Sequence, residues 1–276
     1  MSDNLILSEL YLYPVKSLRG IAVQAWEVDS FGLRFDRRWM VVDQNGRFLT
    51  QRQLPHMAKI GTAIDPGSGA LTLNHPQLGE MQVPNAPEAV SRKEVTVWRS
   101  HVKAVLVDLA VDAWLSEAIG KPCRLVWFPD DEVRQVNLKH ARKGEKTAFS
   151  DGYPFLLIGQ GSLDDLNSRL PEPVSMRRFR PNLVVSGCQP YAEDAWKRIA
   201  IGGIPFRIAK PCSRCVVTTV DPDSGEKTGS EPLQTLFSYR KHGNEAWFGQ
   251  NAIHEGQGRL KVGDSVEVME VNAKTP

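Results

Sequence analysis

The densest chemistry in the chain sits in Cys212-Ser213-Arg214-Cys215, with Lys210 just ahead and Asp221-Pro222-Asp223-Ser224-Gly225 close behind. A Cys-x-x-Cys pair serves redox exchange when it opens a helix, whose dipole lowers the first thiol's pKa. It serves structural zinc when a second pair or matched histidines complete four ligands. A single thiolate presented from a rigid strand suits a soft metal. The residues that follow, Val216-Val217-Thr218-Thr219-Val220, are a β-branched run that predicts a strand, against the redox helix. Cys123 and Cys188 stand alone and no His-x3-5-His exists, against zinc. Lys210 and Arg214 would stabilise a thiolate by charge, and the Asp-Pro-Asp-Ser-Gly stretch makes a sharp turn after the strand. One working thiolate and a pair of small buried side chains both remain open.

A second candidate is the run Arg177-Arg178-Phe179-Arg180 before Asn182. Three guanidinium groups converging at the start of a strand would be eased by an anion, and Asn182 offers donors and acceptors to a heterocycle. The elements that must position these groups are mostly short strands bounded by Gly, Pro, Asn or Asp. Strands are expected over residues 5–13, 22–28, 39–42, 102–109, 155–158, 182–185, 204–208, 215–220 and 265–271. Asn45-Gly46 predicts a tight hairpin between 39–42 and 47–50. Residues 111–119 predict a helix capped by Gly120, and 162–170 a short helix with Ser162 as its cap. Residues 130–150 are polar and charged, too poor in apolar side chains for core, and predict a surface excursion of the kind that forms active-site lids.

The chain has 276 residues, 41% hydrophobic and 24% charged, which excludes disorder and fibrous classes. Its 34 Lys and Arg against 32 Asp and Glu give a formal charge of +2, too even for a protein whose main ligand is a nucleic acid. No apolar run is long enough to span a bilayer, and the start MSDNLILSEL lacks the pattern of a signal peptide. Four cysteines in a leaderless chain of this length are expected to stay reduced, so a cytoplasmic location is expected.

Several motifs, taken in order, resemble the MOSC-domain family of molybdenum-cofactor proteins. They are Tyr13-Pro14-Val15-Lys16-Ser17, Asp36-Arg37-Arg38-Trp39, Phe179-Arg180-Pro181-Asn182, Ser186-Gly187-Cys188, Tyr191-Ala192-Glu193-Asp194, the stretch from Cys212 to Asp223, Phe248-Gly249-Gln250-Asn251 and Val262-Gly263-Asp264. The resemblance implies a mainly β fold with α+β elements, in which an N-terminal β-barrel-like domain (1–122) packs on a β-barrel-containing MOSC domain (123–276). It implies that Cys215 ligates molybdenum and is the catalytic cysteine, with Cys212 dispensable. It also implies that Lys16, Ser17, Arg37, Arg180, Asn182 and Asn251 bind the molybdenum cofactor (Mo-molybdopterin). Lys16 and Arg37 taken alone would read as solvated surface charges. Departures are Asn251, where mitochondrial relatives often carry Tyr, and Gly152-Tyr153, where relatives show small hydroxyl residues.

The implied reaction removes oxygen from a small N-hydroxylated substrate (an amidoxime, hydroxylamine or N-hydroxylated base) with two electrons and two protons, releasing water. Asp221 and Asp223 are conceivable proton donors. The cysteines lack the C-x4-C-x2-C spacing of a two-iron cluster. Electrons are therefore expected from a separate donor protein, a ferredoxin- or flavin-type reductase. A molybdopterin-binding or sulfur-transfer module without reductive turnover is the alternative.

Overall fold

In the computed structural model, which describes residues 4–84 and 91–272, the short β-branched runs pair mainly antiparallel. Residues 1–3 of the segment read for a leader, and 273–276 at the end of the second predicted domain, lie outside the described residues. No helix among the described residues is long and apolar enough to cross a membrane. The architecture is mainly β with α+β elements. Its sheets are open paths, none closed into a barrel among the described strands.

The largest sheet has nine strands. Its central members are Ile204–Arg214, Glu245–His254, Phe155–Gly159 and Leu183–Ser186, and it continues through Ile6–Leu12 to Ile21–Ala22. Phe155–Gly159 and Leu183–Ser186 are parallel, joined through the helix Gln160–Arg169. A five-stranded sheet runs from Arg92–Val97 through Ser100–Leu106, Cys123–Trp127 and Trp39–Asp43 to the two-residue strand Val15–Lys16. The chain thus passes from the large sheet to the smaller one between Leu12 and Val15, and that crossing carries Tyr13 and leads directly to Lys16. Three-stranded sheets around Ala25–Asp29 and around Leu71–His75 complete the frame.

Burial follows the pattern. Leu7, Leu10, Phe155, Leu183, Ile199 and Phe206 fill the core on the large sheet, while Trp39, Val41, Leu115 and Leu125 fill that of the smaller one. The helix Leu109–Ile119 is capped by the Asp108 carboxylate and ends on Gly120 at φ 69°, a left-handed position that suits glycine.

Four expectations need correction. Residues 216–220 are not a strand: Val216–Thr219 forms a 3-10 turn. The threonine hydroxyls bond back to carbonyls three residues earlier, Thr218 Oγ1 to Cys215 O at 3.0 Å and Thr219 Oγ1 to Val216 O at 2.8 Å, which offers the backbone a partner other than a neighbouring strand. Ser162 does not cap its helix, which begins at Gln160. Its hydroxyl bonds the buried Glu193 carboxylate instead. The Asn45-Gly46 turn forms, with Gly46 at φ 77°, but its second arm makes two isolated bridges, Phe48 to Val42 and Arg47 to Thr96, rather than a strand. Residues 130–150 are not wholly a surface excursion, because Val136, Ala148 and Phe149 are core and Arg134 is only 8% exposed. Of this segment Ser150 alone reaches the cavity described next, so it is no lid over it.

Candidate active site

Lys16, Ser17, Arg37, Arg180, Asn182, Asn251 and Cys215, scattered over most of the chain, line one cavity of about 490 Å³. Four more cations, Arg52, Arg178, Lys210 and Arg214, share the lining, against a single carboxylate, Asp151. Such a concentration of positive charge in a nearly neutral protein makes the cavity an anion site. Backbone strain converges there too. Of six non-glycine residues with positive φ, Ser17, Arg37, Trp98 and Arg180 all line it. Left-handed backbone costs on the order of 1–3 kcal/mol per residue and persists where surrounding structure enforces it.

One end of the cavity is built around Tyr13. The Arg37 and Arg180 guanidinium carbons both lie over its ring, at 4.2 and 4.3 Å from the centroid. Arg37 is aimed by Asp36, which accepts from Nη1 at 2.5 Å, and by Asn182, whose Oδ1 accepts at 3.0 Å. Asp36 also accepts from the Tyr13 amide at 2.8 Å. Burial pushes the Asp36 carboxyl up, opposed by Arg37. Arg180 donates to the Leu18 carbonyl at 2.8 Å, and burial lowers its guanidinium to about 10.

Asn182 departs from its expected role. It is 1% exposed, and its amide is committed to Arg37, Asp36, the Tyr11 carbonyl and the Leu156 amide, so it orients Arg37 rather than reading a heterocycle. The arginine run also diverges instead of converging. Arg177 pairs with Asp223 and Arg178 with Asp221, which leaves Arg180 as the member turned to Tyr13. Asp221 and Asp223 are therefore salt-bridged turn residues outside the lining. Asp221 Oδ1 accepts from the Asp223 and Ser224 amides, and neither acid is placed to donate a proton in the cavity.

Lys16 is 5% exposed and donates to the Phe149 carbonyl at 2.9 Å and to Asp151. Burial pushes its ammonium down to about 8, against the upward pull of Asp151. Burial opposes the charge of Asp151 in turn, but Lys16 and Arg52 hold the carboxyl below the usual range. The Asp151 side chain is 66% exposed, so water screens this pair, and it orients Lys16 more than it stabilises the fold. Trp98 Nε1 donates to the same oxygen at 3.1 Å. Arg134 clamps the backbone beneath, donating to the Ala148 and Ser150 carbonyls at 2.8 and 2.6 Å.

At the other end, Cys215 follows the strand Ile204–Arg214 and opens the 3-10 turn, half-buried against the cavity. Cys212 lies in the strand itself. At roughly 3.3 Å per extended residue the two α-carbons stand about 10 Å apart, too far for a disulfide, which removes the redox-pair reading. Arg214, expected beside the Cys215 thiolate, instead sets its Nη1 3.0 Å from Cys212 Sγ and its Nη2 on the Phe179 carbonyl. No cluster of three or more His, Cys, Asp or Glu able to hold a metal exists among the described residues. A metal on Cys215 must therefore bring its remaining ligands with it. Asn251 faces the cavity from Glu245–His254 and leans on the Lys210 and Pro211 carbonyls at 3.4 and 3.3 Å.

Two family models match the chain: the MOSC N-terminal beta barrel domain over residues 4–122 and the MOSC domain over 144–267. The human mitochondrial amidoxime-reducing component 1 is 36% identical over 280 residues, covering 95% of this chain and 82% of its own.

The chain belongs to the MOSC family.

A molybdenum cofactor sulfurase of Oryza sativa is 34% identical over 96% of this chain, which spans only 35% of that protein. The YUAD protein of Bacillus subtilis aligns over 96% of this chain at 12% identity and a TM-score of 0.43, too loose a fit to bear on the site. Arg52, Trp98 and Asp151 on the wall of this MOSC cavity, and Tyr13 and Arg134 behind it, are residues that the sequence did not single out. Tyr13 lay inside a quoted motif. Arg134 gave no signal, because its task is to hold backbone carbonyls.

Proposed function

We propose that the protein is a molybdenum-cofactor-dependent reductase that removes oxygen from N-hydroxylated substrates, with electrons from a separate donor protein. The observation that carries this reading is the joining of two half-buried thiols, Cys215 and the Arg214-paired Cys212, and a ring of cations on a single cavity. The donor set fits the cofactor: one thiol for the metal, and guanidinium and ammonium groups for an anionic tail. When bound, the cofactor supplies the two-electron oxygen-atom chemistry.

The chain's own residues do the rest. Arg37 and Arg180 present planar donors to a phosphate from fixed positions over Tyr13, and Lys16 adds a point charge beside them. Ser17, in its left-handed conformation, stands at the same end, with its carbonyl fixed by Gln51 Nε2 at 2.7 Å. Cys215 holds the metal. Lys210, Asn251 and Tyr153 bound the space left for substrate.

The test is molybdenum content and reduction of benzamidoxime by reduced methyl viologen, on protein made in a cofactor-competent host. One molybdenum per chain with turnover, both lost in Cys215→Ser, is expected. Cofactor bound without turnover would favour the binding or sulfur-transfer alternative, which the sulfurase relatives keep in view.

A further inference from the structure

Residues 135–146 form a pinned turn beside the cavity. Gln135 Nε2 donates to the Arg142 and Glu145 carbonyls at 3.0 and 2.8 Å, and its Oε1 accepts from the Gly144 amide at 2.8 Å. Arg142 pairs with Glu255 at 2.7 Å and Glu145 with Arg207 at 2.6 Å, which ties the turn to the large sheet. These pairs neutralise the local acids. Lys139 and Lys143 remain exposed, without an ion pair among the described residues. Between the buried Val136 and these lysines, Leu138 is 62% exposed.

The turn abuts the cavity wall from outside, through Tyr153. His140 packs edge-on against Tyr153, ring centroids 6.5 Å apart, and Tyr153 lines the cavity with Lys210 and Asn251. Burial and then the Lys210 and Lys139 charges depress the His140 imidazole, which places those cations in one field. The result is a rigid, unneutralised basic platform with one apolar side chain at its centre, adjoining the cavity that holds Cys215. Electron-transfer encounters are small, weak and steered by opposite charge, so they need this kind of surface close to the redox centre.

We propose that this turn is the docking surface for the electron donor and that the donor is an acidic one-electron carrier protein. The inference rests on the reductase reading above. The complex forms over Leu138, with Lys139 and Lys143 meeting carboxylates of the partner. Binding is loose and falls with salt, because the lysines are exposed and screened.

The test uses the cofactor-loaded enzyme and benzamidoxime, driven either by an acidic two-iron ferredoxin kept reduced by its reductase or by reduced methyl viologen. The variant Lys139→Glu/Lys143→Glu is compared with Lys103→Glu/Lys261→Glu, an equal charge change at exposed positions outside the cavity. The expected result is a rise of about tenfold or more in KM for ferredoxin in the first pair, shrinking at high salt. The control pair and all viologen-driven rates should stay near wild type. Equal losses in both pairs, no loss in the first, or viologen turnover without any ferredoxin turnover in the wild type overturns the docking proposal. Failure of viologen turnover itself would instead remove the reductase reading, and the proposal with it.

Discussion

Gly20 fixes the geometry of the anion site without touching the cavity. A Cβ built at Gly20 would stand 2.2 Å from Tyr13 Cε1 and 2.6 Å from Cδ1. The ring cannot swing aside, because Tyr13 is 2% exposed and lies under the Arg37 and Arg180 guanidinium groups. Gly20→Ala must displace the ring by more than 1 Å to reach ordinary contact, roughly the overpacking that costs about 1–3 kcal/mol. Loosening two partly buried cation–π contacts adds about 0.5–2 kcal/mol for each. A stability loss of about 2 kcal/mol or more should lower Tm by roughly 4–8 °C in a chain of this size. Calorimetric sulfate binding should weaken at least about tenfold, since the guanidinium pair would lose its common platform. Tyr13→Phe is the control. The Tyr13 hydroxyl is buried with no hydrogen-bond partner among the described residues, so removing it should leave both measurements close to wild type. A Gly20→Ala protein that melts and binds sulfate like the wild type would refute the idea that the Tyr13 ring sets the arginine spacing.

Further outcomes follow from the same geometry. Cys215→Ser should lose molybdenum, measured by elemental analysis, while Cys212→Ser keeps it, because Cys212 is occupied by Arg214 and cannot swing to the other thiol's place. Sulfate affinity should fall as pH rises through about 8, where Lys16 sheds its proton. Lys16→Arg should flatten that step, and Asp151→Asn should move it to lower pH, since the Asp151 charge raises the Lys16 value. Asn182→Ala should cost about 1–3 kcal/mol in chemical denaturation, because it strands the Tyr11 carbonyl and one Arg37 donor, and should weaken sulfate binding as well.

The mainly β fold was legible in the short β-branched runs, and the residues that meet on the cavity were legible as a series of motifs. Cys215 and the cations on the cavity stand in short motifs that became readable when taken in order, since Lys16 and Arg37 alone resemble surface charges. What the sequence did not disclose were the groups that act on another residue. Asn182 carries the donor and acceptor expected of a heterocycle reader, but only the tertiary structure shows its four bonds turned inward. Arg134 sat in a charged stretch that resembled surface, yet it is buried under the backbone that presents Asp151. The β-branched run after Cys215 misled for a local reason. Propensity favours a strand, but among the described residues only Val220 bridges to another segment, at Lys227, and the two threonine hydroxyls donate to carbonyls within the turn.

That turn also explains why the thiol belongs where it does. Had 216–220 continued the strand, Cys215 would lie in a hydrogen-bonded ladder with its side chain directed by the pleat. Ending the strand at Arg214 instead frees the chain to bend at Cys215, whose φ and ψ of −135° and 178° are still extended while the next residue is already turning. The sulfur therefore sits at the end of a long strand of the largest sheet, on the same cavity as Lys16, which follows the crossing between Leu12 and Val15, and as Arg37 and Arg180, which come from separate segments. Ile6–Leu12, which leads into Tyr13, pairs with Leu183–Ser186 on one side and Ile21–Ala22 on the other, and the strand leading into Cys215 joins the same sheet through Phe155–Gly159 and Glu245–His254. A shift of Ile6–Leu12 would move Tyr13 relative to Asn182, and with it Arg37, so sheet register takes part in fixing where the arginine pair stands. Register changes only in whole residues and reverses every side chain when it does, so the arginine pair can shift against the sheet only in discrete steps, each of which would take Tyr13 out of its place beneath the guanidinium groups.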